Sequence, residues 1–153
     1  MDIQANLDRL GLTLPQPPRP AGSYLPAVRS GRWLVVSGQL PLIEGALMAT
    51  GRVPSAVDVE TAARAAARCA LNALAIVGDH LDGDWHRLQR VVRIGVFVAS
   101  DPDFCEQPRV ANGASDLLAE LLGEAGRHAR AAVGAAALPL GAPVELEMMV
   151  ETA

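Results

Sequence analysis

The chain has 153 residues, of which 50% are hydrophobic, 3% aromatic and 20% charged, and its formal net charge is −4 at pH 7. That length and apolar content suit one compact domain able to bury most of its own apolar surface. The acidic balance argues against a broad phosphate-binding surface, which needs clustered basic side chains to displace counterions, and the few aromatics leave little on which to stack bases.

Residues 1–20 read as an amino-terminal extension. Ile3, Leu7 and Leu10 at helical spacing predict a short amphipathic helix, and Pro15, Pro17, Pro18 and Pro20 forbid continuous helix or central strand after it. Asp2 and Asp8 stand where a secretory leader would be basic, and no apolar run approaches the roughly 20 residues that cross a membrane. The expectation is a soluble, cytoplasmic chain with no membrane partner.

Residues 21–153 read as a single domain. "YLPAV" and "RWLVVSG" predict two strands around a turn at Ser30, Gly31 and Arg32, because β-forming residues are bounded there by turn residues. After the irregular stretch "PLIEGALMATGRVPS", Ser55 and Asp58 have capping-box spacing ahead of a long helix. Its core stripe is Ala66, Ala70, Ala73, Val77 and Leu81, and it stops between Gly78 and Gly83. "LQRVVRIGVFVAS" is apolar enough for a central strand. Pro108 then opens a second helix with Val110, Ala114, Leu117, Leu118 and Leu121 inward, and Gly123 ends it. Two further strands, 130–138 and 144–151, are joined by "PLGAP"; paired as a simple antiparallel hairpin they would set Arg130 opposite Glu151. The order β-β-α-β-α-β-β predicts an α+β fold, one sheet with two helices on one face.

In "VELEMMV", Val144, Leu146, Met148 and Val150 point one way while Glu145, Glu147, Met149 and Glu151 point the other. The other strands carry too few polar residues for a face left to water, so the side away from the helices is expected to be covered by self-association. An arginine among alanines and a glutamate on that covered face suggest a polar pocket, and one using both Arg130 and Glu145 would need a neighbouring subunit. Spacing alone favours, over a catalytic role, an Arg130 that is a helix-to-strand junction residue capping carbonyls or making a surface ion pair. Ser37 has no readable His–Asp pair and reads as a strand-end hydroxyl, Tyr24 as a core-edge residue, and His128 as an exposed loop histidine. Cys69 and Cys105, in segments that read as helical, lack metal-ligand spacing and are expected as small buried hydrophobes, and no metal is expected.

"GSYLPAV", "VVSGQLP" and "HARAAVGAAALPLGAPVELE" resemble the RidA/YjgF family, also described as L-PSP endoribonuclease-like. The resemblance spans 22–151 and includes the pattern R-x(7)-LP-x(5)-E-x-E. It implies a chorismate-mutase-like fold, a homotrimer with a barrel-like core, and active sites in the clefts between subunits. It also implies hydrolysis of small reactive enamines and imines such as 2-aminoacrylate to 2-keto acids and ammonia, with no metal or organic cofactor. By the same resemblance Arg130 falls on the arginine that binds the substrate carboxylate and Glu145 on the glutamate that positions the attacking water. Tyr24, Ser37, Gly38 and Asn112 match ligand-binding positions. The chain departs from the pattern at Ala132, where a cysteine is common, at Ser115, where an aromatic is common, and in the "GEAGRHAR" loop, which is one residue longer. A non-catalytic module that binds small keto or amino acids through the same arginine is the alternative; a ribonuclease is the third reading, opposed by charge and composition.

Overall fold

The computed structural model describes residues 2–17 and 22–153; Pro18 and Pro20 of the proline run lie outside them. A short helix α1 (Ile3–Leu10) is followed by strands β1 (Ala27–Ser30) and β2 (Trp33–Gln39) and a small hairpin of β3 (Leu42–Ile43) and β4 (Ala46–Leu47). Then come the long helix α2 (Val59–His80), strand β5 (Leu88–Ala99), helix α3 (Gln107–Leu122), strand β6 (Ala129–Ala135) and strand β7 (Val144–Thr152). The main sheet has the order β1-β2-β7-β5-β6. This is the expected α+β arrangement, preceded by the expected short helix α1 and with the β3–β4 hairpin in the stretch read as irregular.

The local causes are readable. Asp58 caps α2 by accepting from the Thr61 backbone N–H at 2.8 Å and from its hydroxyl at 3.0 Å, satisfying donors that the first turn leaves free. Ser55, expected as the cap, instead binds Asp101, its N–H donating at 3.0 Å and its hydroxyl at 3.1 Å, and so ties the approach to α2 to the end of β5. The stripe Ala66, Ala70, Ala73 and Val77 is fully buried against the sheet. Where α3 packs on α2 the approach is tight: at Gly113 of α3 even a methyl would overlap the Ala63 carbonyl of α2. The extension is no loose tail: Ile3 and Leu7 are buried, and the Asn6 amide donates to the Leu121 carbonyl of α3 at 2.9 Å.

The expected β6–β7 hairpin does not form. β5 lies between them, antiparallel to β7 and parallel to β6, so Arg130 stands beside Ile94 and Glu151 beside Trp33 and Arg90. The reason is that α3 carries the chain back over the sheet from the end of β5, and a crossover delivers a parallel neighbour where a tight turn would deliver an antiparallel one. β6 is therefore an edge strand, with β1 at the opposite edge. Val144, Leu146, Met148 and Val150 face the helices and are buried, as the alternation predicts. The other face carries Val28, Trp33, Val35 and Val133, each 42–53% exposed.

Candidate functional site

The second residue of β6, Arg130, lies in register with buried Ile94 and so points toward the helix layer, where α3 receives it. Its Nη1 donates to Asn112 Oδ1 at 2.9 Å and to Ser115 Oγ at 3.0 Å, and Nη2 to the Pro108 carbonyl at 3.4 Å. Asn112 and Ser115 are three apart, one above the other on the same helical face. A guanidinium has five N–H donors, and the three held by α3 leave Nε–H and one Nη2–H, the lateral edge that fits a carboxylate with two parallel hydrogen bonds. The residue is exposed, within a strand and not at a helix-to-strand junction.

His128 is not the exposed loop histidine expected. It is half-buried, with Nδ1 2.6 Å from the Gly126 carbonyl and Nε2 3.0 Å from Ser115 Oγ. A carbonyl only accepts, so Nδ1 donates; in the neutral ring Nε2 then accepts from the Ser115 hydroxyl, and that oxygen accepts in turn from Arg130. A cleft of about 320 Å³ opens beside this chain of bonds, lined by Ser115, Asp116, Ala119, Arg127, His128 and Arg130 among others.

Glu145 belongs to a second group on the other face. It lies beside Phe97 on β7, half-buried, packed so closely on Gly38 that a methyl on that glycine would overlap the carboxylate. Burial first, and then the charge of Glu147, push its carboxyl above the ordinary carboxylate value. Glu147 is itself paired with Arg93 at 2.8 Å. Ser37 donates its hydroxyl to the Leu25 carbonyl at 2.7 Å and its N–H to the Pro26 carbonyl at 2.9 Å. Those bonds fasten the segment carrying Tyr24, 48% exposed, to the strand that carries Gly38. Ser37 is thus a positioning hydroxyl without a base beside it.

The predicted residues therefore divide into two half-sites. Arg130 and Asn112 are brought together; Tyr24, Ser37, Gly38 and Glu145 gather at the other side of the sheet, with β5 between the strands of Arg130 and Glu145. Ser115 and His128 join the first half without having been singled out for it. The sequence carries only part of the signal: 112 and 115 share a helical face, but 128 lies just ahead of β6, two residues before Arg130. Of the thiols, Cys69 is buried, which pushes it well up and leaves it inert, whereas Cys105 is exposed and precedes α3 instead of lying within a helix. Among the described residues no group of three or more His, Cys, Asp or Glu could hold a metal ion, and no helix is long and apolar enough to cross a membrane.

The sequence model of the family described as Endoribonuclease L-PSP matches residues 15–152. The chain is 47% identical over 150 residues to Protein TCP17 of Trypanosoma cruzi, covering 97% of this chain and 93% of that protein. It is 50% identical to Atu1372 of Agrobacterium tumefaciens, a crystal structure described as being of unknown function, with a TM-score of 0.91 over 98% of this chain and 91% of that one. A candidate endoribonuclease from Shewanella oneidensis MR-1 is 30% identical, with a TM-score of 0.93 over 97% and 98% of the two chains.

Proposed function

The chain belongs to the Endoribonuclease L-PSP family, the RidA/YjgF family, and from that premise we propose that it is a cofactor-free hydrolase of small carboxylated enamines and imines, 2-aminoacrylate being the type case, acting in clefts between the subunits of a cytoplasmic homotrimer. The observation that carries this reading is the Arg130 fork, braced on one side by α3 and open on its lateral edge. A carboxylate gripped there is fixed in position and plane, which sets the neighbouring C=N carbon at one distance from any group across the cleft.

The remaining chemistry is modest. Protonation of the enamine at C3 gives the imine; water adds to C2 while nitrogen takes a proton; the C2–N bond then breaks and ammonia leaves, yielding the 2-keto acid. Glu145 accepts the proton of the attacking water and returns one to the departing nitrogen. A carboxyl raised by burial and by Glu147 suits both directions near neutrality better than an ordinary one. The chain contains no lysine, so no side-chain amine is available to form a Schiff base, and direct attack by water is the route left. Arg130 and Glu145 serve one ligand only if the β6 edge of one subunit meets the Glu145 face of the next, which is why the trimer is part of the proposal.

The test is keto-acid release from enzymically generated 2-aminoacrylate. Acceleration over the spontaneous rate is expected; ammonia and pyruvate appearing at the uncatalysed rate would overturn the hydrolase. One observation favours binding without turnover as the second reading: the arginine half is complete within α3 and β6 of one chain, whereas Glu145 is not beside it. Pyruvate binding with no rate enhancement would select that reading. Ribonuclease action, named in the family's description, is opposed by the net charge of −4, and degradation of single-stranded RNA by the purified protein would reinstate it.

A further inference from the structure

We infer that Ser115 and His128 are positioning residues for the Arg130 guanidinium, holding its fork in one rotation before any carboxylate arrives. The inference rests on the reading of Arg130 as a carboxylate clamp and extends it to two residues that the clamp itself does not require. The geometry is a directed chain. The Gly126 carbonyl accepts from His128 Nδ1 at 2.6 Å, which turns the ring so that Nε2 faces Ser115 at 3.0 Å. With the ring neutral, Nε2 then accepts a hydrogen bond from the Ser115 hydroxyl, leaving the oxygen's lone pairs to accept from Arg130 Nη1 at 3.0 Å.

Without that ring the hydroxyl could rotate and donate elsewhere. Without the hydroxyl, the guanidinium would keep Asn112 and the long 3.4 Å bond to the Pro108 carbonyl, and two hydrogen bonds fix it less well than three. An arginine on an edge strand among alanines has little packing to hold it, since Ala129 and Ala131 are exposed and Ala132 only partly buried. Restraint has to come from hydrogen bonds, and in the free protein it removes rotational freedom that a ligand would otherwise have to freeze on binding. The Ser115 hydroxyl supplies an acceptor to Arg130, and His128 makes that acceptor directional.

Two readouts test this, one without ligand. In ¹⁵N-labelled free protein, rotation of the Arg130 guanidinium about its Nε–Cζ bond is followed by its Nη–H line shapes, assigned by their disappearance in Arg130→Lys. The rotation is expected to be slow in the wild type, fast in Ser115→Ala and His128→Ala, and slow again in Ser115→Thr, which keeps the hydroxyl. Equal rotation in wild type and Ser115→Ala overturns the inference, and His128→Gln serves if His128→Ala fails to fold. In the second readout, Ser115→Ala and His128→Ala are each expected to weaken pyruvate binding by roughly tenfold, the scale of one hydrogen bond to a charged group. The double variant should be no weaker than either single one, because the two act in series, and Ser115→Thr should recover most of the affinity. Unchanged affinity in both variants also overturns the inference. A wild type with a restrained fork that does not bind pyruvate would instead sink the clamp reading while leaving the restraint standing.

Discussion

Arg130 is the residue on which function and fold can be told apart most cleanly. Its bonds run to side chains and one carbonyl at the exposed edge of α3, not into the core. Arg130→Ala should therefore leave the melting temperature nearly unchanged, as surface substitutions usually do within about 0.5 kcal/mol. It should also abolish keto-acid binding, losing about 2–5 kcal/mol if the clamp closes on a desolvated carboxylate. Arg130→Lys should recover little, because a point charge does not reproduce the fork. Calorimetry of the variants with and without 2-oxobutyrate checks both statements, and a large fall in melting temperature for Arg130→Ala would mean that the arginine is structural.

Glu145 makes a prediction of opposite kind. Its carboxyl is raised in the folded state, by burial first and by Glu147 second, so between its unfolded and folded values the native state binds more protons than the unfolded chain. The resulting stability is present below the ordinary carboxylate value and is lost as pH rises through the folded value. Glu145→Gln should hence melt at a higher temperature than the wild type at pH 7, and the gap should close as the buffer is taken down to about pH 4. A gap that does not narrow on acidification would contradict the burial of the charge. The alternation of β7 marks Glu145 in the sequence, whereas the roles given to Glu145 and Arg130 come from the family resemblance, spacing alone favouring a junction role for Arg130. Ser115 and His128 were not legible, because their role depends on a helix and a strand that are distant in sequence meeting at one edge.

At the scale of elements, what the sequence carries is local and what it lacks is pairing. The stripes of α2 and α3, the cap at Asp58 and the alternation of β7 are each written within a few residues, by period and by turn chemistry. The position of β6 is not. "PLGAP" after a short apolar run reads the same whether the next strand folds back beside it or passes across a third, and only the central place of β5 decides between them. The contact that delivers β6 is the packing of α3 on α2, and at Gly113 it is so tight that an added methyl would overlap the Ala63 carbonyl. Alanine is the better helix former, yet Gly113→Ala should destabilise the protein by about 1–3 kcal/mol, the usual cost of overpacking a tight contact. Denaturant melts measure this directly. If Gly113→Ala proves neutral or stabilising, the two helices do not approach as closely as their alanine-rich faces imply.

For the whole molecule, the question is what becomes of the face that the helices leave bare. Val28, Trp33, Val35 and Val133 stand on it, each about half exposed, around Glu145, Glu147 and Arg93. The scarcity of polar residues in the strands announced such a face before its shape was known; the number of copies that cover it comes from family resemblance. Apolar area of this kind gains about 25 cal/mol for each Å² removed from water, and closed symmetry lets identical faces cover one another without open-ended growth. The proposed trimer should sediment at about three times the 16.0 kDa of one chain. Val133→Asp, in register with Phe97 and so within reach of the Glu145 group, sets a carboxylate on that face. For an isolated chain the change is an exposed substitution of small effect. In an assembled one it buries an unpaired charge on the face that also carries Glu145, costing several kcal/mol. Val133→Asp is thus expected to sediment as a single folded chain and to lose keto-acid turnover, although Arg130, Asn112, Ser115 and His128 remain intact on the other face. A variant that stays trimeric and active would show that this face is not the subunit contact; a monomeric variant that still turns over 2-aminoacrylate would show that one chain suffices and that Arg130 and Glu145 need not meet across subunits.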